Sequence, residues 1–324
     1  MASSSYVIGI DLGGTNMQAG VVDQAWKVVG DCKRKTKAEV GLDGVVDRLD
    51  EAVRRACEEA KVNLADVDAV GIGVPGAIDI PRGVVIDAPN LRWFDVPIRE
   101  ILTKRFGRPV VVDNDVNVAV WGEVRHGAAK GRSNCLGVWA GTGVGGGLVL
   151  DGKLWRGPSF TAGEIGQTII FPDGGPAKTT LEQHASRTGM VHNIELLLRK
   201  YPKSRLIELR EENNGRIGSK EIAQAYELGD PAATIVVEHA ARFIGIAAAN
   251  VVTLLSIDTV VVGGGATEAI GEPFIALIRR AFDEVVFPQR LRSCEILLTA
   301  LEDHAGVIGA AALARDEAAG GGRR

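Results

Sequence analysis

Three groups of residues in this sequence have the types and spacing to do chemistry. The first is Asp113-Asn114-Asp115, which follows the apolar run Pro109 to Val112. A polar cluster at the carboxyl end of a strand is where open α/β sheets place ligand groups. Taken alone, an Asp beside an Asn is more often a helix cap, and with Asn117 to His126 reading as helical the same loop would cap as well. The second group is a pair of glycine turns, Asp11-Leu12-Gly13-Gly14-Thr15-Asn16 and Gly141-Thr142-Gly143-Val144-Gly145-Gly146-Gly147. Bare backbone lets phosphate oxygens approach, successive N–H groups form an anion nest, and Thr15 and Thr142 add hydroxyl donors. Either turn by itself reads more simply as a hairpin tip that needs positive φ. The third is Gly263-Gly264-Gly265, closing the apolar run Thr259 to Val262.

Gly71, Gly73 and Gly76, and again Gly141, Gly143 and Gly146, match the G-x-G-x-x-G spacing of dinucleotide sites. Both fail on context, because that fingerprint needs a helix to open straight after the glycines. Pro75 and the extended pattern of residues 77 to 86 oppose a helix in the first case, and Gly147 to Gly152 reads as a returning strand and turn in the second. No G-x-x-x-x-G-K-[ST] is present, which excludes a P-loop by motif.

The elements that must position these groups follow from pattern. Tyr6 to Ile10 and Met17 to Val22 read as strands around the first glycine turn, and Cys135 to Ala140 and Leu148 to Leu150 as strands around the second. This repeated plan suggests two related lobes, each offering a glycine turn to a shared ligand. Val46, Leu49, Val53 and Ala56 mark one face of a helix over 43–61. Val67 to Val74 and Val84 to Ile86 read as strands, and Pro97 to Phe106 as a helix. Residues 180 to 255 are mostly helical in pattern, broken at Gly215, Gly218 and Gly229-Asp230-Pro231. Helices over 273–285 and 305–314 flank a strand at Ile296 to Ala300, and the glycine-rich tail from Ala318 is expected to fray.

Composition narrows the function class. The chain has 324 residues, 46% hydrophobic and 24% charged, which suits two globular lobes rather than disorder. A net charge of −4, without basic clusters among aromatics, argues against a nucleic-acid partner. No run is expected to reach membrane-helix length and no secretory signal opens the chain, so a cytoplasmic protein with no membrane partner is expected. Cys32, Cys57, Cys135 and Cys294 are scattered without a C-x-x-C pair, which fits reduced, packed thiols.

Together, Asp11-Leu12-Gly13-Gly14-Thr15, Val74-Pro75-Gly76, Pro89-Asn90-Leu91, Asn114-Asp115-Val116-Asn117, the second glycine turn, Ala162-Gly163-Glu164-Ile165-Gly166 and Gly263-Gly264-Gly265 resemble the ordered motif set of the ROK sugar kinases. The resemblance runs from residue 6 to about 315. It implies an α/β, two-lobed actin-like ATPase (ribonuclease H-like) fold, with ATP and sugar in the cleft between lobes. The expected lobes are 1–113, completed by a C-terminal helix at about 301–316, and 114–300, with 317–324 as a flexible tail. The same resemblance makes Asp115 the base that accepts the proton of the attacking sugar hydroxyl. It places Gly76, Asn90, Asn114, Asp115, Glu164, Gln167 and Glu182 around the sugar. Asp11, Gly13, Gly14, Thr15, Asn16, Gly141, Thr142, Gly143, Gly263, Gly264 and Gly265 fall around ATP, Asp11 helping to place Mg2+ through water.

The sequence departs from the family at a zinc motif and its histidine. The corresponding stretch, Asp173 to Glu182, keeps the Glu and none of the cysteines, and Gln167 stands at the histidine position. No structural zinc is expected. Gln167 can keep one sugar hydrogen bond while giving up the metal. The five histidines, 126, 184, 192, 239 and 304, show no metal-like pairing and read as structural or exposed. Glucose is the default substrate of the resemblance, with an N-acetylhexosamine or fructose, or polyphosphate as donor, as alternatives. A sugar-sensing regulator is the non-enzymatic alternative, disfavoured because the first glycine turn lies so near the first residue and the charge is acidic. The family commonly forms homodimers, which is the expected assembly.

Overall fold

The computed structural model describes residues 5–174 and 179–320. It divides into two compact units. One takes the chain up to Gly131, Lys153–Ala162 and the segment from Asp303 onward; the other takes Arg132–Gly152 and Gly163–Glu302.

The first unit opens with β1 (Tyr6–Leu12), β2 (Asn16–Val22), β3 (Val28–Lys35), α1 (Gly41–Ala60) and β4 (Val67–Val74). Three short strands follow, β5 (Ala77–Asp79), β6 (Val84–Ala88) and β7 (Trp93–Val96), then α2 (Ile98–Phe106), β8 (Val110–Asn114) and α3 (Asp115–His126). Its main sheet has the order β3-β2-β1-β4-β8, with β1 antiparallel to β2 and parallel to β4, which is parallel to β8. Farther along the chain come β9 (Cys135–Ala140), β10 (Val144–Leu150) and the two-residue β11 (Lys153–Leu154). The helices α4 (Leu181–Ala185), α5 (Arg187–Leu198), α6 (Arg205–Glu212), α7 (Ser219–Glu227) and α8 (Pro231–Leu255) lead to β12 (Thr259–Gly263). Then come α9 (Gly265–Ile270), α10 (Glu272–Val285), β13 (Glu295–Leu298) and α11 (Ala305–Gly320). The second main sheet has the order β11-β10-β9-β12-β13, with β9 antiparallel to β10 and parallel to β12, which is parallel to β13. Order and sense repeat those of the first sheet. The strand, turn, strand plan seen twice in the sequence is thus the opening of the same sheet built twice.

The local chemistry explains the elements. Val7 to Ile10 and the whole of β12 are buried, the continuous apolar pattern of strands covered on both faces. In α1 the buried residues Val45, Val46, Leu49, Ala52, Val53 and Ala56 recur at helical spacing, and Lys61 ends the helix in the left-handed region at φ 55°. Asp230 starts α8 by accepting the N–H groups of Ala232 and Ala233, with Pro231 at the first turn. At 25 residues and a mean hydropathy of 1.5, α8 corrects the expectation that no segment has membrane-helix length and composition. Its alanines and Val236, Val237, Ile244 and Val252 are instead buried in the core of the second unit, with Phe274, Ile278 and Phe282 of α10.

Two other expectations change. α3 falls within the first unit, beyond the boundary read at 113/114, because α11 packs on it. A Cβ on Gly122 would lie 2.7 Å from the Ala305 carbonyl oxygen, and one on Gly309 would overlap the Val118 carbonyl. Likewise Gly9 of β1 and Gly71 of β4 lie against the carbonyls of Val307 and Ala310, so the last helix rests on strand backbone. α11 also continues to Gly320, so part of the expected tail is helical, while residues 321–324 lie outside the described residues.

Candidate functional site

In the first unit the candidate base sits where β8 turns into α3. Asn114 is the N-cap, in extended conformation, and its Oδ1 accepts the N–H groups of Val116 at 2.9 Å and Asn117 at 3.2 Å. Its Nδ2 donates to the Gly76 carbonyl at 3.3 Å. Asp115 is the first helical residue, two positions earlier than the sequence pattern placed the helix, and its Oδ1 accepts the Val116 N–H at 2.9 Å. The helix macrodipole suits a carboxylate there. Gly76 is held at φ 96°, where a Cβ would lie 2.1 Å from the Asp87 carbonyl oxygen, so only glycine lets this loop close on β6. β6 runs on through Ala88 to Asn90, whose Cβ would be 2.8 Å from a side chain added at Gly14. Asn114, Gly76, Asn90 and the Gly13–Asn16 turn therefore form one line of contacts within this unit. The Gly13 N–H is used inside the turn, donating to the Asn16 carbonyl at 2.9 Å, and the Thr36 hydroxyl caps the Gly13 carbonyl at 2.6 Å. Neither Gly13 nor Gly14 has positive φ, so the turn's glycines answer to close approach rather than to handedness.

Asp11 ends the buried stretch of β1. Burial pushes its carboxyl up to about 6, with Lys33 opposing and Asp303 adding to the rise. Lys33 is itself bonded to Asp303 at 2.9 Å, so its charge is shared between two carboxylates. A desolvated carboxylate lacking a full counter-charge, beside the phosphate-binding type of turn, is an oxygen donor that fits Mg2+ and its waters.

Sequence reasoning placed Asp113 in the polar cluster without giving it a role, and missed its partner Arg156. Asp113 is completely buried, and its Oδ2 accepts Nε of Arg156 at 2.6 Å and pairs with Nη2 at 2.5 Å. Its Oδ1 accepts the Asn114 N–H at 2.8 Å and Asn117 Nδ2 at 3.0 Å.

The second unit gathers the other expected residues. Glu182, in the first turn of α4, accepts the Val144 N–H on Oε2 at 2.8 Å and Gln167 Nε2 on Oε1 at 3.2 Å. Gln167 thus occupies the histidine position with an amide that ties down the neighbouring carboxylate. Much of Glu164 is open to solvent, yet desolvation of its carboxyl, and then the charge of Glu182, hold it above the usual carboxylate range. A Cβ on Gly143 would lie 2.3 Å from Glu182 Oε2. In the same turn the Gly141 N–H donates to the Gly143 carbonyl at 2.9 Å, and nothing stands within 4 Å of a Cβ on Gly141. Strand β10 resumes at Val144, so the turn is shorter than the glycine run. Gly264, at φ 93°, rests against the Ala140 backbone next to Gly141, which joins the third glycine group to the second. A second missed residue lies here: Arg187 Nη2 donates to Thr142 Oγ1 at 2.7 Å, and its backbone N–H donates to the Gly141 carbonyl at 2.9 Å. Among the described residues Arg187 makes no ion pair.

Of the stretch matching the zinc motif, residues 175–178 lie outside the described residues. Its base is held by amides: Gln183 Oε1 accepts the N–H groups of Thr179 at 2.7 Å and Thr180 at 3.0 Å, and Thr180 bridges to Ile169. Among the described residues no group of three or more His, Cys, Asp or Glu could hold a metal. His184 stacks on Phe243 at 4.5 Å and His126 on Trp26 at 3.8 Å, packing roles in both cases.

The family model of the ROK family matches residues 7–317. The chain belongs to the ROK family. A curated glucokinase of Halalkalibacterium halodurans is 31% identical, over 97% of this chain and 96% of its own length. A curated glucokinase of Streptomyces coelicolor is 33% identical, over 95% and 97%. The crystal structure of a ROK family glucokinase from Streptomyces griseus in complex with glucose and AMPPNP superposes with a TM-score of 0.86 at 34% identity, covering 96% of this chain and 99% of that one. This ROK protein therefore has the two-lobed actin-like ATPase fold, and its two like sheets are the cores of the lobes.

Proposed function

We propose that this ROK protein is an ATP-dependent hexose kinase, a glucokinase that moves the γ-phosphoryl group of ATP to the 6-hydroxyl of glucose. The observation that carries the reading is the β8–α3 junction. There Asn114 caps the helix and reaches Gly76 with one side chain, and so fixes Asp115 at the helix start. Phosphoryl transfer asks the protein for positioning, charge stabilisation and one carboxylate near the nucleophile, and Asp115 supplies the carboxylate. Asn114, Asn90 and Gly76 on one unit, and Glu164, Gln167 and Glu182 on the other, are the sugar ligands of this reading. Their carboxylates and amides would be left unpaired by a wrong isomer, which is how such a site discriminates. The bonds Gln167 and Val144 make to Glu182 hold its carboxylate ready for hydroxyl donors.

The donor side uses the turns Gly13–Asn16 and Gly141–Gly143 for phosphates and Gly263 to Gly265 for the adenosine portion. The open space at Gly141 and the guanidinium of Arg187 on Thr142 favour an anionic ligand at the second turn. Mg2+ bound near Asp11 would neutralise phosphate charge. The protein is read as a cytoplasmic homodimer without nucleic-acid or membrane partners. The same residues leave an N-acetylhexosamine or fructose as acceptor, and polyphosphate as donor, to be separated by assay.

That assay is coupled ADP release with ATP and Mg2+ against glucose, mannose, fructose, N-acetylglucosamine and N-acetylmannosamine. Turnover on glucose is expected. Asp115→Ala should lower kcat by about 10²-fold or more, the scale of a lost general base, while glucose still binds. Full activity in Asp115→Ala would overturn the mechanism.

A further inference from the structure

Asp113 and Arg156 are absorbed by neither the sugar nor the donor side, yet they form the most enclosed charged pair in the first unit. Asp113 is fully buried and both its oxygens are engaged: Oδ2 by Arg156, through a hydrogen bond from Nε and an ion-pair contact with Nη2, and Oδ1 by the Asn114 N–H and Asn117 Nδ2. All three residues that supply these contacts have a direct bearing on the base. Asn114 N and Asn117 Nδ2 bracket Asp115 in the first turn of α3, and Arg156 clamps the carboxylate they share.

Arg156 has a second attachment. Its carbonyl accepts the Ala162 N–H at 3.1 Å, closing residues 156–162 into a loop, with Gly157 and Phe160 both at positive φ. Two residues past the loop comes Glu164. Gly163, between them, is at φ 97° and lies against the Gly146 carbonyl, where a Cβ would be 2.6 Å from the oxygen. Neither end of this stretch is free to drift. A single side chain therefore sets the turn that carries the base and anchors the loop that runs on to a sugar ligand.

We propose that Arg156 is a positioning residue for phosphoryl transfer, acting through Asp113 to align Asp115 and, through the 156–162 loop, the approach to Glu164. The proposal rests on the kinase reading above. A guanidinium is needed because its planar fork brings two nitrogens, Nε and Nη2, to one oxygen in a fixed geometry, which a lysine ammonium does not reproduce. Asp115 and Glu164 both belong to the acceptor side of that reading, so the loss of Arg156 should be felt there. A displacement of about 1 Å at a reacting group costs on the order of 10²-fold in rate.

The test separates this role from simple charge burial. Arg156→Gln leaves Asp113 buried without its cation; Asp113→Asn/Arg156→Gln removes that buried charge as well. Both are compared with the wild-type enzyme for Tm, kcat, KM for sugar and KM for ATP. The double variant is expected to regain Tm close to wild type, yet to keep a kcat/KM for sugar about 10²-fold low, with KM for ATP within about twofold. Arg156→Lys should recover only part of the sugar kcat/KM. Sugar turnover restored along with Tm in the double variant would make Arg156 a structural counter-ion and overturn the proposal. A parallel rise in KM for ATP and KM for sugar would overturn it as well. A wild-type protein inactive on every sugar would instead overturn the kinase reading on which it rests, and the proposal with it.

Discussion

Gly143 lies in the turn assigned to phosphate, but the structure says that filling it should injure the sugar side. The backbone there is not in the left-handed region, so alanine is tolerated conformationally, and the atom it meets is Glu182 Oε2 at 2.3 Å. That oxygen is the far end of a flexible side chain, so the fold survives while the carboxylate moves by about 1 Å to reach ordinary contact at 3.4 Å. The move breaks the 2.8 Å bond from Val144 N–H and drags the Gln167 contact with it. A hydrogen bond to a charged group is worth about 1.5–3 kcal/mol, and each 1.4 kcal/mol is about tenfold in an equilibrium. Gly143→Ala is therefore expected to raise KM for glucose about 10- to 100-fold and to lower Tm by no more than a few degrees. The coupled assay, varied separately in glucose and ATP, reads the two sides apart. If KM for ATP rises and KM for glucose stays at the wild-type value, Glu182 is not a sugar ligand and the argument fails.

Two further outcomes are expected. Because amides of Gln183 hold the base of the segment that resembles a zinc loop, EDTA should leave Tm unchanged while ATP-dependent turnover stops until Mg2+ is restored; a Tm loss that Zn2+ reverses would contradict the amide arrangement. Burial, followed by the charges of Arg125, Lys130 and Arg315, lowers His126 to about 4 from its ordinary 6.5. Between those values the unfolded chain binds the proton and the folded chain does not, so His126 contributes a loss of stability as pH falls from 6.5 to 4. Tm of His126→Phe should fall less over that window than Tm of the wild type, and parallel curves would remove His126 from the account.

What the sequence made legible was local. The buried strands β1, β4, β9 and β12 announce themselves as apolar runs, and the break at Gly229-Asp230-Pro231 is turn chemistry that any context would respect. β3 escaped because it is an edge strand, and Lys33, Arg34 and Lys35 interrupt its alternation. The start of α3 at Asp115 was read too late because Asn114, not a residue nearer Asn117, accepts the first N–H groups. The site residues came from ordered motifs, but their mutual support did not. Asp113 and Arg156 are 43 positions apart, and Val144 and Glu182 are 38 apart. Such pairs depend on how sheet, loop and helix meet, and no periodicity records that. Gly71 and Gly73 had imitated a cofactor fingerprint; in the fold Gly71 is small because α11 lies on it.

That packing of α11 also bears on the order in which the protein comes into being. The helix whose carbonyls lie on Gly9 and Gly71 is translated only after every residue of the second unit. On the ribosome, β1 and β4 must wait with one face uncovered until α11 has been made, while the second unit can close first. The half of the enzyme that is synthesised earliest is the half that matures last.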